Sequence, residues 1–527
     1  MTRYCGGVEN TYRETLPLGA EHLSFPELSI AIRNTLMVSA LSLLVAIPLG
    51  IAVALFLYRT NLVARRFGQL AIGSQLAVPL YVLAGGWSAA FGLQGWLRAL
   101  GISFGDGQPG TTSGLMAVAL IHGLAALPWV TLLIGCGLMR TDRGLEDQAR
   151  MDGGTYTTLT RTVLPRLFPW IAAASAFCLL PVFTEMVVSN LFQIATVTEQ
   201  VYLDASRGTL KPLTYIASTL LCVVPMVILF LGVFRMYPEL RSFSLRDVHH
   251  EPQALQLGKG RWPFSGGIWV LFLCIIGVPI FSLVVKAGWL PFTDDEGQTG
   301  YGWSPSRFAS TVQEAATLFQ PEIFWSLMLA LSSVALAVAI TVAVQCFRNR
   351  HVKSAFSALM IVLIATPGPL VGLFVIWVLN RSEPAIFGYL YDQTLAAPML
   401  AQQFRILPMA WLFSHLILNS VSSESTAQAE LDGVRGLAYL RYVLWPQTGK
   451  LWIAGLILLL IYSIGELSCT ILVLPPGVTT LAMRLFEMLH FGMRHQDSGL
   501  CGLFILLGWL AVGALWATSA WKTRTDR

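Results

Sequence analysis

The sequence predicts an all-α polytopic membrane protein with about eleven transmembrane helices, arranged as two homologous halves. Three observations predict this class: the composition, a series of long apolar runs and a repeated polar loop. Hydrophobic residues make up 55% of the chain and charged residues 12%, and the mean hydropathy is +0.64. A soluble domain carries about twice that share of charged residues, so the composition excludes one.

Each apolar run is long enough to cross a bilayer as a helix. Proline occurs inside several runs, and membrane helices tolerate it when neighbouring groups satisfy the freed backbone. The predicted spans are 30–58, 69–91, 114–138, 167–194, 212–236, 266–289, 323–347, 355–379, 398–420, 450–473 and 499–520.

The distribution of basic residues predicts the orientation of these spans. With the N-terminus outside, the cytoplasmic segments hold most of the 34 Lys and Arg residues, including Arg59, Arg65, Arg350 and Lys353. Cytoplasmic loops carry this excess in membrane proteins. The C-terminal KTRTDR then lies in the cytoplasm.

A polar phrase occurs twice, as QARMDGG at 148–154 and QAELDGV at 428–434. Asp152 pairs with Asp432, and a mid-helix proline, Pro128 or Pro408, precedes each Asp at the same distance. The helix beginning at Ile32 aligns with another beginning at Ile323. An even number of spans separates the two phrases, so the halves form a parallel repeat.

The repeat predicts four segments. An extracytoplasmic segment, 1–29, precedes a first half of five helices, 30–240; a cytoplasmic linker, 241–265, leads to a second half of six helices, 266–527. The helix at 266–289 has no counterpart in the first half. Either that helix was lost or the chain begins late, and we favour a truncated start.

The two phrases lie in cytoplasmic loops of similar design, 141–165 and 421–446. Each loop has a short helical stretch, a glycine, a second helical stretch and a proline. Glycine permits a sharp change of direction, and proline ends the helix before the next span. Small residues before each glycine leave a slim surface that fits a groove on another protein.

These loops resemble the EAA loop of permease subunits of bacterial type I ATP-binding cassette importers. The resemblance implies that each loop forms a coupling helix docked on a cytoplasmic ATPase subunit, of which we expect two copies. DQA and AQA replace Glu-Ala-Ala, and Trp445 replaces the Leu of Leu-Pro. The docking residues implied are Asp147, Gln148, Ala149, Asp152, Gly153, Leu164, Pro165, Ala427, Gln428, Ala429, Asp432, Gly433 and Pro446.

Two further segments, 184–202 and 465–492, resemble the fused permeases of iron(III) importers. The resemblance implies transport of ferric iron, with substrate handed over by an extracytoplasmic binding protein docked on loops 92–113, 290–322 and 380–397. Permeases for thiamine, polyamines, sulfate or phosphonate share the plan and remain alternatives. The resemblance also implies that the protein lies in the bacterial inner membrane and has no nucleic-acid partner.

The chain has no G-x-x-x-x-G-K-[ST] motif, so we expect ATP and Mg²⁺ to bind a partner subunit, with no cofactor and no enzymatic activity in this chain. A secondary transporter is the less favoured alternative, because it gives no reason for duplicated loops.

Glu185 and Glu466 occupy equivalent positions in the repeat and are candidates for the translocation path. Ionisable groups inside a membrane face the bundle interior or a water-filled path. Alternatively, each carboxylate satisfies backbone or Ser/Thr donors at a bent helix end. The sequence leaves both readings open, and it assigns no metal site.

Overall fold

The computed structural model describes residues 25–92, 95–97, 112–140, 143–208, 212–241, 255–293, 299–347, 349–381, 383–434, 437–490 and 495–525. The predicted segment 1–29 and the linker 241–265 therefore lie largely outside the described residues. So do parts of the loops 92–113, 141–165, 290–322, 380–397 and 421–446.

Helices dominate both parts of the chain. The first part contains α1 (Phe25–Arg59), α2 (Arg65–Ser74), α3 (Leu80–Phe91), α4 (Thr112–Met139), α5 (Arg143–Thr157), α6 (Leu164–Arg166), α7 (Phe168–Thr184), α8 (Val187–Leu191), α9 (Val197–Ser206), α10 (Pro212–Met236) and α11 (Pro238–Arg241).

The second part also contains a hairpin, whose two strands pair antiparallel with Trp289 opposite Trp303. Its elements are α12 (Arg261–Phe272), α13 (Val278–Gly288), β1 (Trp289–Thr293), β2 (Thr299–Trp303), α14 (Pro305–Leu318), α15 (Gln320–Cys346), α16 (Arg350–Ala365), α17 (Gly368–Leu379), α18 (Ala385–Asp392), α19 (Ala396–Leu418), α20 (Ser423–Leu431), α21 (Leu437–Tyr439), α22 (Trp445–Ile464), α23 (Leu481–His490) and α24 (His495–Thr525).

Within the described residues, seven helices are long and apolar enough to cross a membrane, or ten if each of three bent pairs is one span. The all-α membrane class is confirmed, whereas the predicted count of eleven is not. The remaining candidate, α19, buries Gln402, Gln403 and Arg405 among its neighbours. A helix surrounded by protein can carry polar groups that lipid would exclude, so α19 is less apolar than a lipid-facing helix.

The order of elements repeats along the chain. The pair α2 and α3 bends by 105°, and the pair α16 and α17 by 108°. Both bends lie next to proline, at Pro79 and Pro367, which cap the second helix of each pair. Proline lacks the backbone N–H that a continuous helix would use, so each pair breaks there.

Two helices end earlier than the sequence predicts. The predicted spans 167–194 and 450–473 correspond to α7 and α22, which end at Thr184 and Ile464. Glu185 is extended, and its carboxylate accepts hydrogen bonds from the backbone of the next residues. An acidic side chain that binds free backbone N–H groups competes with continuation of the helix.

The two parts of the chain share hydrophobic cores. Phe272 of α12 and Ile276 of the following π-helical segment (Leu273–Gly277) pack in one cluster with Leu57 of α1 and Ile72 of α2. On the other side, Tyr81 and Val82 of α3 lie in one cluster with residues of α23 and α24. Helices at both the start and the end of the second part therefore pack against the first.

Candidate functional site

A cavity of about 230 Å³ lies where the broken helices of the two parts meet. Its wall combines the bend between α2 and α3, the middle of α4, the end of α7, and residues of α19 and α22. The polar and charged side chains in that wall include Gln75, Tyr81, Glu185, Arg405, Tyr462, Glu466 and Ser468. The two acids predicted for the translocation path thus line one cavity.

Glu185 is held on all sides by donors. One carboxylate oxygen accepts from Val187 N at 3.0 Å, and the other accepts from Val187 N and Val188 N at 3.0 and 3.3 Å. The hydroxyl of Ser468, in the second part of the chain, donates to Glu185 at 2.8 Å. Glu185 therefore caps α8 and ties the two parts together.

Glu466 is bound less completely. Its Oε1 accepts from Cys469 N at 2.8 Å, just after α22 ends. Its Oε2 is buried and has no hydrogen-bond partner among the described residues. The capping alternative describes Glu185 well, whereas Glu466, in the cavity wall, keeps one buried oxygen without a partner among the described residues.

Arg405, which the sequence reasoning did not select, supplies the positive charge of this cavity. Its side chain is buried and donates to Ile364 O at 2.9 Å and Thr366 O at 2.8 Å, at the end of α16. It also donates to Thr184 O at 3.4 Å, at the end of α7. The carbonyls at a helix C-terminus carry partial negative charge, so one guanidinium stabilises both broken ends.

Two more polar atoms of the cavity wall lack partners among the described residues: Gln75 Nε2 and Tyr81 Oη. Buried polar groups are normally paired with protein or ordered water. Together with Glu466 Oε2, they make the cavity suited to water or to a polar solute. The described residues contain no group of three or more His, Cys, Asp or Glu side chains that could hold a metal ion.

A second contact between the parts lies beyond the cavity. His490 Nε2 of α23 is 2.8 Å from Asn190 Oδ1 of α8. Asn190 Nδ2 also donates to Glu199 of α9 at 3.4 Å. Burial is the main cause that raises the pKa of Glu199 to about 7.

The predicted cytoplasmic loops contain the helices α5 and α20. Positive φ angles occur at Gly154 (+73°) and Gly433 (+70°), where each helix changes direction. In the first loop the turn is therefore made by Gly154, one residue after Gly153. Residues with side chains rarely adopt this conformation, which explains glycine there.

Equivalent apolar side chains project from both loops. Met151 and Leu431 each expose 82% of their surface and immediately precede Asp152 and Asp432. The sequence reasoning missed them because it followed the family motif, which skips this position. Their shared place in the repeat was the available signal.

Most of the predicted docking residues are exposed. Ala429 is an exception, since it is buried with 4% exposure and faces its own chain. Ala149 is half-buried. The exposed ones are Asp147, Gln148, Asp152, Gly153, Leu164, Pro165, Ala427, Gln428, Asp432, Gly433 and Pro446.

Comparison with known proteins finds a family match in the second part of the chain. Residues 334–520 match the family described as "Binding-protein-dependent transport system inner membrane component". The chain is also 20% identical, over 475 residues, to the Fe(3+)-transport system permease protein FbpB 2 of Haemophilus influenzae, covering 90% of this chain and 86% of the relative.

Proposed function

We propose that this permease is the membrane-spanning subunit of an ATP-binding cassette importer. In this proposal two ATPase subunits bind the cytoplasmic loops, and an extracytoplasmic binding protein delivers substrate on the opposite side. The family match supports a permease of this kind. The observation that supports an ATPase partner is a pair of exposed apolar side chains at equivalent points of the repeat, Met151 and Leu431, which we call the exposed tips.

A simple physical argument connects the exposed tips to a binding partner. A large apolar side chain exposed beside charged residues gains free energy by entering a pocket on a partner. Two equivalent tips match a partner that acts as a pair. Closure of the paired subunits would move both loops together and rock the halves, a rigid-body transition between two states.

The proposed substrate is ferric iron. The relative's name supports this assignment, and two carboxylates in the cavity suit a hard cation. Because the cavity has no cluster of three or more His, Cys, Asp or Glu side chains among the described residues, it would hold iron weakly. Weak binding favours passage, since a conducting path must also release what it binds.

The proposal also fixes the orientation. The loops containing α5 and α20, together with the C-terminus, would lie in the cytoplasm of a bacterium, and the His490–Asn190 contact would lie near the outer face. Reagent access to a single cysteine introduced at Met151 in sealed vesicles would report the side of the membrane.

Substitution of the tips tests the ATPase partner. Met151→Glu and Leu431→Glu should each reduce recovery of the ATPase with the full-length permease by roughly tenfold or more, since burying an unpaired charge costs several kcal/mol. Val352→Glu, at an exposed site between the predicted spans 323–347 and 355–379 and outside both loops, is the matched control. Undiminished recovery with both tip variants would contradict the docking assignment.

Substrate is tested separately by uptake into cells that express the whole system. Radioactive iron should accumulate in an ATP-dependent manner, and excess thiamine should leave that accumulation unchanged. Uptake of thiamine without uptake of iron would overturn the iron assignment while leaving the importer assignment intact.

A further inference from the structure

We propose that Arg59, Glu146 and the inter-half linker brace the first coupling loop against α1, so that the two ATPase-docking loops differ in stiffness. The inference rests on the proposed function in one respect: it takes α5 and α20 as the ATPase-docking helices. The brace itself is a set of contacts that can be measured without an ATPase.

The linker returns to the first cytoplasmic turn of the chain. Leu255 pairs with Thr60 as an isolated parallel bridge, with Leu255 N donating to Arg59 O at 2.7 Å and Asn61 N donating to Leu255 O at 3.3 Å. This segment therefore adds a short strand contact to the residues just after α1. It fixes the end of the linker relative to the first half.

Asn61 is the centre of this attachment. Its side chain donates to Gln256 Oε1 at 2.8 Å and accepts from Leu257 N at 3.0 Å. Its backbone carbonyl accepts from Arg261 Nε at 2.9 Å. Asn61 therefore makes three hydrogen bonds, two through its side chain and one through its carbonyl, which is more than an incidental surface contact provides.

The beginning of α12 extends the attachment. Ser265 Oγ accepts from Val63 N at 3.1 Å, and Trp269 Nε1 donates to Val63 O at 3.1 Å. The turn 60–63 is thus held from two directions by the linker and by the first helix of the second half.

The same turn is covalently next to the anchor of the first coupling loop. Arg59, the last residue of α1, forms an ion pair with Glu146 of α5, and both side chains are buried. A buried pair with a charged hydrogen bond has one good geometry, and losing either partner leaves the other charge unpaired. The pair therefore fixes α5 to α1 at a defined distance.

The sequence of the second loop provides no equivalent of the Arg59–Glu146 ion pair. Thr426 stands where the repeat places Glu146, and a threonine cannot form an ion pair. Its hydroxyl lies 3.3 Å from Tyr439 Oη and donates to Ser422 O at 3.0 Å. Arg350, the counterpart of Arg59, is exposed. Neutral contacts of this kind hold α20 less firmly than a buried ion pair holds α5.

Unequal anchoring has a mechanical consequence. A force applied at α5 passes directly into α1 and the linker, and so into both halves. A force applied at α20 is absorbed first by local movement of that loop. The two ATPase subunits would therefore face one rigid and one compliant surface, even if the subunits are identical.

Hydrogen exchange on the purified full-length chain tests the brace. Asn61→Ala should speed exchange of the amides of residues 146–150 about tenfold, because it removes two hydrogen bonds that hold the turn beside Arg59. Residues 424–430 should exchange as in the unsubstituted protein. Gln447→Ala, which removes the acceptor for Ser422 N in the second loop, is the matched control and should show the reverse pattern.

The ion pair is tested by its own variants. Glu146→Gln should raise the exchange rate of the α5 amides more than Asn61→Ala does. Arg59→Lys should raise that rate less than Glu146→Gln does, because lysine keeps the positive charge. If Glu146→Gln does not fold, the double variant Arg59→Met with Glu146→Leu removes both charges together and reports the same loss of restraint.

Two results would overturn the brace. One is an unchanged exchange rate of the α5 amides in Asn61→Ala. The other is an equal change of exchange rate in both loops for Asn61→Ala and for Gln447→Ala. Where ATPase is recovered with the chain, Glu146→Gln should lower transport per ATP hydrolysed at least threefold without changing the amount of ATPase bound. Failure to recover any ATPase would contradict the proposed function and leave the exchange result standing.

Discussion

Glu185 and Glu466 occupy equivalent positions but have different surroundings. Both oxygens of Glu185 accept hydrogen bonds, from Val187, Val188 and Ser468. Glu466 leaves Oε2 unpaired within the described residues. A fully bound carboxylate serves the structure, whereas a buried carboxylate oxygen without a partner is costly and needs another explanation, which the proposed translocation path would supply.

This difference predicts separate effects of two matched substitutions. Glu466→Gln should lower iron uptake about tenfold or more with little change in thermal stability, because it removes the free charge from the path. Glu185→Gln should lower the free energy of unfolding by about 1–3 kcal/mol, because a neutral amide accepts the same bonds more weakly. Iron uptake and thermal unfolding of both variants are the measurements. Equal losses of uptake at equal stability would contradict the distinction.

Glu199 belongs to the contact of Asn190 with His490 and is expected to make stability depend on pH. Burial raises its pKa to about 7, against the hydrogen bond from Asn190 and the charge of Arg207, which lower it; Asp204 acts in the same direction as burial. A carboxyl group whose pKa is higher in the folded chain stabilises the fold when protonated. Its contribution is complete below the unfolded value near 4.5 and is lost as the pH rises through about 7.

The expected result concerns the difference between the protein and its Glu199→Gln variant. From pH 5 to pH 8 the unsubstituted protein should lose about 2 kcal/mol of stability more than the variant, because glutamine does not ionise. Thermal unfolding at several pH values measures this. Parallel curves would show that Glu199 titrates at an ordinary value.

At the scale of elements, α19 joins the broken ends of two other helices. Its Arg405 donates to carbonyls at the end of α16 and at the end of α7, which belong to different halves. A helix that breaks inside a membrane exposes unpaired carbonyls, and each unsatisfied group costs several kcal/mol there. One arginine on α19 therefore makes two breaks tolerable.

Removing that guanidinium should destabilise the chain strongly. Arg405→Met should lower the free energy of unfolding by about 3–5 kcal/mol, because it leaves the carbonyls and two carboxylates of the cavity without a cation. Arg405→Lys should lose less, since it keeps the charge but cannot reach all the acceptors.

Thermal unfolding in detergent measures both variants. Adding Glu466→Gln to Arg405→Met should recover part of the loss, since the cavity then holds one fewer buried carboxylate without a positive charge nearby. An Arg405→Met protein as stable as the original would show that water satisfies these groups.

At the scale of the whole molecule, the sequence predicts what periodic patterns encode. Long apolar runs predict the membrane class, and Asp152 with Asp432 predicts the repeat that the order of helices displays. The predicted spans 167–194 and 450–473 run through the breaks at Glu185 and Glu466 because the apolar runs continue there, although a bent helix end at each acid was the stated alternative. Only the capping contacts made after folding show where the helices end.

Long-range contacts were beyond the sequence for a different reason. Arg405 and Thr184 lie far apart in the chain, and no local pattern marks an arginine that will reach two helix ends. The linker likewise has no motif that predicts its return to residues 60–63. Met151 and Leu431 were readable in principle, since comparing the two loops position by position finds them.

The Arg405 guanidinium, the one arginine in the described wall of the cavity, also restricts which halves can be paired. Ala125 stands the same distance before Pro128 as Arg405 stands before Pro408. A dimer of two first halves would contain no such cation, and a dimer of two second halves would crowd two into one space of about 230 Å³. A pairing of unlike halves supplies one guanidinium to both broken helix ends, and carrying both halves on one polypeptide guarantees that ratio at every synthesis.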